Sequence, residues 1–570
     1  MYILGISCYF HDSAACLLKD GIVVAAAEEE RFTRIKHDNN FPINAINYCL
    51  KEARINPNKL NYVVFYEKPF QKFERILQTC VETFPYSFKM FKEALPQWIA
   101  EKLRMPGVIR KKLDYKGEVL FVPHHKSHAA SAFFASPFEK AAIVTIDAVG
   151  EWTSTAIHYG EGNEIKTLKV INFPHSLGLF YSAITSYLGL KVLNDEYKVM
   201  GLAGWGKPVY YKKFKKLVDF KEDGSFKLNM KYFSYTHTEK MFSDELVKEF
   251  GKPREPDGKI ERKHMNIAAS LQKITEDIIL RIVKHAYELT NSENLCMAGG
   301  VALNSVANGK ILMSKIFKNV FFQPAATDAG SALGAALYAY NSILGMKRRY
   351  VMKNVFLGPK FSNREIKEFL ESKNVKFTKL SKKEIVKATA EALAKNKIIG
   401  WFQDRMEFGP RALGHRSILA NASNPRMKKI LNEKVKHREW FRPFAPSLLF
   451  DEVERYFNFN LDMPFMIITL PVKKEKRREI ISATHVDGTA RPQTTIQKRE
   501  NIYHELIEEF YSLTGIPAII NTSFNLKGEP IVCSPEDALN DFMKTKMDYL
   551  VVENFLISKG ENHKFYTQKR

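Results

Sequence analysis

The 570-residue chain has no CxxC pair among its six cysteines, Cys8, Cys16, Cys49, Cys80, Cys296 and Cys533. In so long a chain that irregular spacing argues against a disulfide framework or a thiolate zinc site, and it points to reduced thiols in a cytoplasmic setting. No apolar run approaches the ~20 residues that span a bilayer. The opening residues, MYILGISCYFHD, lack the basic start of a secretory signal, and their apolar run breaks at His11-Asp12. Long blocks of pure Lys/Arg are also missing; the tightest clusters are triplets such as Lys347-Arg348-Arg349. What is present is an ordinary globular composition, 45% hydrophobic and 26% charged, which excludes disordered, collagenous and coiled-coil chains. The net charge is +23, from 86 basic and 63 acidic residues. Scattered as it is, the excess reads as a lysine-rich background plus a site for anionic ligands. At roughly 150 residues per domain the length allows about two to four domains.

One strand pattern occurs twice. Residues 2–7, 14–18 and 22–28 read as strands, with a polar turn from Tyr9 to Ser13 after the first and a Lys19-Asp20-Gly21 hairpin turn before the third. Residues 141–147, 153–159 and 165–172 repeat the arrangement, with Ala148 to Trp152 as the polar turn. Residues 294–298 and 319–323 add two strands. The first runs through Gly299-Gly300 into a helix from Val301, the second through PAATDAG into a small-residue helix at 330–342. This predicts a duplicated α/β domain of the actin/sugar-kinase (ribonuclease-H-like) class, with polar loops at the carboxyl ends of its strands, where such sheets bind ligands. From about residue 345 the texture becomes basic and irregular. The boundary is therefore placed at 345, with a second, smaller α/β domain over 346–570. There, helices are expected over 362–375 and 382–395, a strand over 397–403 and a loop over 468–488.

Residues 118–122 read as a strand that passes through Pro123 into a helix beginning HHKSHAAS. His124 and His128, four residues apart, project from one helical face and suit a transition metal, whereas His125 lies about 100° away. Asp147 ends a buried strand and Asp328 sits at a strand-to-helix loop among small residues. Either aspartate alone reads equally as a turn or capping residue. Taken together, His124, His128, Asp147 and Asp328 make a mixed nitrogen and oxygen set that favours iron, manganese or zinc over magnesium or calcium.

Ten ordered motifs run nearly the whole length: HDSAA at 11–15, EEERFTRIKHD at 28–38, HHKSHAASAF at 124–133, EYKVMGLAGWG at 196–206, GGVALN at 299–304, DAGSALGAA at 328–336, GPRALGHRSI at 409–418, REWFRPFAPS at 438–447, HVDGTARPQ at 485–493 and NTSFNLKGEPIV at 521–532. In these the chain resembles the O-carbamoyltransferases of antibiotic and nodulation-factor biosynthesis. The resemblance implies an N-terminal domain like the tRNA threonylcarbamoyl-transfer protein and a C-terminal domain like the threonylcarbamoyl-adenylate synthases. It implies that the second domain activates carbamoyl phosphate with ATP, giving carbamoyl-adenylate and pyrophosphate. The first would then pass the carbamoyl group to a substrate hydroxyl and release AMP.

The resemblance also implies roles for residues. Lys36, Arg411, Arg442, Arg491 and Asn521 are expected to hold carbamoyl phosphate, a polyanion that needs fixed cations. Asp147, Gly299, Gly300, Asn304, Ser523 and Asn525 are expected at the nucleotide, although Ser523 and Asn525 read equally as turn formers. Fe2+ or another divalent transition metal is expected on His124, His128, Asp147 and Asp328, and Mg2+ with ATP. His11 and Asp12 are expected to act on the acceptor hydroxyl, His11 as the general base. The partners implied are ATP, carbamoyl phosphate and a hydroxyl-bearing small molecule. No membrane and no nucleic acid is expected, and homodimerisation is left open. Two other readings remain: a kinase or ATPase of the actin/sugar-kinase superfamily, and a tRNA-modifying protein that binds nucleic acid.

Overall fold

A computed structural model describes residues 1–562. The chain divides into two compact units. The first comprises Met1–Glu29 with His37–Met352, the second Glu30–Lys36 with the chain from Lys353 onward.

The first unit holds two five-stranded sheets. One is built from β1 (Tyr2–Ser7), β2 (Ala14–Lys19), β3 (Ile22–Glu28), β4 (Tyr62–Phe65) and β5 (Glu118–Phe121), in the order β3-β2-β1-β4-β5. The other is built from β6 (Lys140–Ile146), β7 (Thr153–Glu161), β8 (Glu164–Asn172), β11 (Asn294–Ala298) and β12 (Asn319–Phe322), in the order β12-β11-β6-β7-β8; β9 (Val218–Phe220) and β10 (Phe226–Leu228) form a separate hairpin. Strand directions repeat as well as order. β1 is antiparallel to β2 and parallel to β4, and β6 is antiparallel to β7 and parallel to β11. This is the duplicated α/β architecture that the repeated pattern predicts. β1 and β6 are buried along nearly their whole length, so they read as apolar runs and not as alternating strands.

Two helices cover the central strands. His124–Phe133 follows β5, and Asp328–Tyr338 follows β12. They touch at Gly334, where a Cβ would collide with the Ser127 carbonyl oxygen. A residue without a side chain is therefore required for this approach, which explains the small-residue run DAGSALGAA. The second helix begins at Asp328 and ends in a π turn over Ala339–Ile343, slightly ahead of the expected 330 start. The helix expected from Val301 begins instead at Ser305. A 3-10 turn over Gly300–Leu303 comes first, because the Asn304 side chain caps the helix by accepting from the Ala307 N–H.

The second unit is an eight-stranded sheet. Its strands are β13 (Thr378–Lys379), β14 (Ile399–Phe402), β15 (Arg416–Asn421), β16 (Ala445–Leu449), β19 (Gln493–Thr495), β20 (Ala518–Ser523), β21 (Tyr549–Val552) and β22 (Phe555–Ser558), in the order β13-β22-β21-β14-β15-β20-β16-β19. The helices Lys382–Ala394 and Ile502–Thr514 bury Ile385, Leu393, Leu506 and Phe510 in one core with Trp401, Leu419 and Ile519. The 468–488 stretch is mostly loop, as expected, closed where β17 (Leu470–Pro471) pairs with β18 (Thr489–Ala490).

The segment 30–36 goes with the second unit for identifiable reasons. Phe32 packs against Met406, Ala412, Ile531 and Cys533. Arg31 donates to the Gly409 carbonyl at 2.9 Å, and Arg34 donates to the Ile531 and Pro530 carbonyls at 2.6 and 2.9 Å. Among the described residues no helix is long and apolar enough to cross a membrane.

Candidate functional site

In the first unit the two histidines and two aspartates converge. His124 opens its helix just after Pro123, and Asp328 is the first residue of the other. Asp147 follows β6, its N–H still bound to the Ser154 carbonyl at 2.9 Å. His124 Nε2 lies 3.0 Å and His128 Nε2 3.3 Å from Asp147 Oδ2; the two Nε2 atoms are 3.1 Å apart. Asp328 Oδ1 stands 3.7 and 3.4 Å from the same two nitrogens. All four residues are buried, and one donor atom from each falls within a 4.8 Å span.

The donor set suits a transition-metal ion. Metal–ligand bonds of about 2.0–2.2 Å put neighbouring ligand atoms roughly 3.0–3.5 Å apart in tetrahedral or octahedral geometry. The five separations here centre on that range. Two imidazole nitrogens facing each other can share at most one proton between them, so a cation is the natural occupant. Burial resists a charge on Asp147, yet the hydrogen bonds and charge of His124 and His128 outweigh it and hold the carboxyl well below the usual range. The surroundings fix the rings. His128 Nδ1 faces the Ser331 hydroxyl at 3.1 Å, and the His124 backbone N–H donates to Glu151 at 3.0 Å. Asp147 Oδ1 accepts from the Gly300 N–H at 3.1 Å. That contact depends on Gly299, whose φ of +89° and contact with the Ile146 carbonyl exclude a side chain. His125 points elsewhere, as its position on the helix predicts, bonding Thr145 Oγ1 at 2.7 Å and the Thr153 carbonyl at 2.8 Å.

His11 and Asp12 sit in the loop after β1, the topological counterpart of the Asp147 loop after β6. Asp12 grips two imidazoles, His11 Nδ1 at 3.0 Å and His37 Nδ1 at 2.7 Å, and the two rings stack with centroids 4.6 Å apart. His11 Nε2 donates to the Leu193 carbonyl at 2.6 Å, and His37 Nε2 meets Asn194 Oδ1 at 2.8 Å. Burial acts to lower the His11 pKa, but the Asp12 charge and hydrogen bond overcome it and raise it to about 10. His37 is the member of this group that sequence reading did not single out, although it lies inside the quoted 28–38 motif. Asn304, besides its capping role, exchanges two hydrogen bonds with Gln272 at 3.0 and 3.1 Å.

The second unit carries a cluster of cations. Desolvation first, then the charges of Arg411, Arg438 and Arg442, push the Arg491 pKa well down. Arg491 Nε is sealed from solvent with no hydrogen-bond partner. Lys436 is buried, and desolvation first, then Arg438, Arg442 and Lys36, hold its pKa down as well. Its ammonium donates to the Ser523 and Asn525 carbonyls at 2.6 and 2.7 Å and to Asn525 Oδ1 at 2.6 Å. The structure thus brings Lys36, Arg411, Arg442 and Arg491 into one electrostatic environment. It also shows Lys436 and Arg438, which sequence reading missed, as members of it. Ser523 and Asn525 turn their oxygens toward Lys436, and Asn521 lies buried in β20 with Oδ1 unpartnered.

Arg491 is half-buried, with its Nε sealed and unpartnered and three arginines acting on it, an arrangement that suits an anion. The comparisons with known proteins give the family. Residues 2–337 match the carbamoyltransferase N-terminus and residues 390–559 the carbamoyltransferase C-terminus. The chain belongs to the carbamoyltransferase family. It is an enzyme of that kind, a transferase of carbamoyl groups. It is 46% identical to an uncharacterized protein of Synechocystis sp., over 98% of this chain and 97% of that one. The nodulation protein NolNO of Sinorhizobium fredii is 37% identical, over 97% of this chain and 79% of its own length. Among solved structures, component A of the Acidaminococcus fermentans (R)-2-hydroxyglutaryl-CoA dehydratase is similar over 60% of this chain and 99% of that one, with 15% identity and a TM-score of 0.34. ROK hexokinase from Thermus thermophilus gives 60% and 100%, with 11% identity and a TM-score of 0.30.

Proposed function

We propose that this carbamoyltransferase is ATP-dependent and acts in two steps on a small-molecule hydroxyl. In the first, carbamoyl phosphate is cleaved by water to carbamate and phosphate. A carbamate oxygen then attacks the α-phosphorus of ATP and expels pyrophosphate, leaving carbamoyl-adenylate. In the second, the acceptor oxygen attacks the carbamoyl carbon and AMP departs. Each small molecule in the first step is a polyanion, and Arg491 carries the reading: its Nε is sealed without a partner while like charges act on it, and an anion would offset both. Arg411, Arg442 and Lys36 would share the phosphate, with charge-assisted bonds that position it. Lys436 would hold the 523–525 loop beside the nucleotide.

In the second step the first unit acts. His124, His128, Asp147 and Asp328 would hold a divalent transition metal, which when bound supplies a Lewis acid for the oxygen on which charge develops. The Gly300 N–H keeps Asp147 Oδ1 oriented, so one carboxylate joins the metal set to the glycine turn. His11, oriented through Nδ1 by Asp12, would take the acceptor proton on Nε2 once that nitrogen leaves the Leu193 carbonyl. Its imidazole must first give up the proton that Asp12 favours, so the transfer step should quicken as pH rises toward about 10.

The test is to mix the protein with carbamoyl phosphate, ATP and Mg2+ and identify the phosphorus products. Pyrophosphate is expected, with AMP once an alcohol acceptor is added from a panel of aminoglycosides, sugars and polyketides. ADP formation with no pyrophosphate would replace this reading with that of a kinase.

A further inference from the structure

The orientation of the Asn521 side chain can be settled by following hydrogen bonds back to a group with one possible role. The Leu413 backbone carbonyl can only accept. Gln493, which faces it at 2.8 Å, must therefore present Nε2 there and turn Oε1 the other way. Gln493 Oε1 accepts from the Ser447 hydroxyl at 2.5 Å and from Asn521 at 2.9 Å, so Asn521 must present Nδ2. The second Nδ2 hydrogen goes to Ser447 Oγ at 3.2 Å. Both amide donors are consumed, and Oδ1 is left as a bare acceptor. Asn521, Gln493 and Ser447 are at most 1% exposed, and Oδ1 is sealed with no hydrogen-bond partner of ordinary geometry among the described residues.

The frame that fixes this oxygen is continuous with the arginine cluster. Leu413 lies two residues after Arg411, and Gln493 two residues after Arg491. Ala445, the strand partner of Asn521, lies three residues after Arg442. Leu413 is itself pinned, its N–H donating to Glu407 Oε1 at 2.7 Å. Guanidiniums supply only donors, suited to phosphate oxygens. Asn521 supplies a buried acceptor whose orientation the frame fixes, which suits an N–H. A buried acceptor left unmade costs about 1–3 kcal/mol, so a ligand that completes it is favoured over an isostere that does not.

We infer that Gln493, acting through Asn521, sets the selectivity of this site for a carbamoyl group over an acyl group. Asn521 Oδ1 accepts from the carbamoyl NH2 while the arginines take the phosphate, and the methyl group of acetyl phosphate leaves Oδ1 unpaired. Gln493 is a positioning residue: without its Oε1 the Asn521 amide is free to turn over and offer an N–H instead. The inference rests on the reading that the cluster holds carbamoyl phosphate.

The experiment compares pyrophosphate release supported by carbamoyl phosphate and by acetyl phosphate, each with ATP, for the full-length wild type, Gln493→Met and Ser447→Ala. The wild type should prefer carbamoyl phosphate, and the ratio of kcat/KM values should fall by about tenfold or more in Gln493→Met, with inhibition by inorganic phosphate unchanged. Ser447→Ala, which removes one of the two acceptors holding Nδ2, should lower the ratio by less, and it serves where Gln493→Met does not fold. An unchanged ratio in the folded variants, with the wild type releasing pyrophosphate from carbamoyl phosphate, overturns the role of Gln493 alone. No pyrophosphate from the wild type with either compound overturns the two-step reading and this inference with it.

Discussion

The two candidate sites meet opposite electrostatic conditions. In the first unit, each buried imidazole of the His/Asp cluster faces a carboxylate, so charge is nearly matched within the protein. In the second, the charged groups acting most on Arg491 are Arg411, Arg438 and Arg442, and Glu439, 3.6 Å from Arg442, is a carboxylate among them. The first pattern is that of a site completed by one small cation. The second is that of a cation-rich site that an anion would complete. The contrast is what the proposed division of labour, donor activation in one region and delivery in the other, would need.

The comparison is broken most severely by removing a ligand of the first site. Asp147→Asn should lower metal affinity by more than the roughly 10–100-fold that loss of a supporting partner costs, read as bound metal per chain by mass spectrometry. Next is Arg491→Met. Pyrophosphate release should fall on the order of 100-fold, yet the melting temperature of the ligand-free protein should rise, because a half-buried cation acted on by other cations is replaced by an apolar side chain. A lower melting temperature would remove the claim of an unbalanced cluster. His11→Ala should lose transfer by roughly 10²–10⁴-fold and keep pyrophosphate release. The smallest effect concerns pH. The folded pKa of His11 is raised to about 10, so its contribution to stability is complete below the unfolded value near 6.5 and is lost as pH climbs toward about 10. Thermal melts across that window should fall more steeply for the wild type than for His11→Gln.

Much of this contrast was legible in the sequence. The duplicated strands announce themselves because β1 and β6 are buried on both faces and their turns carry Asp20-Gly21 and Gly162 at positive φ. The metal-type set was legible because HxxxH fixes two donors on one helical face and the aspartates follow or precede regular elements. Lys436 and Arg438 were not legible, since a Lys-His-Arg-Glu run looks like a solvated surface until the fold buries it. Nor was Gln493, whose role appears only when Leu413, Ser447 and Asn521 meet across the sheet. The placement of 30–36 depends on Phe32 and two arginines finding tertiary partners hundreds of residues away, which local patterning does not encode.

The most direct test of the division of labour is pyrophosphate release by metal-depleted Asp147→Asn supplied with carbamoyl phosphate, ATP and Mg2+. Release near the wild-type rate, with no carbamoylated acceptor, is the predicted result. Loss of pyrophosphate release in this variant, while Arg491→Met retains it, would contradict the account.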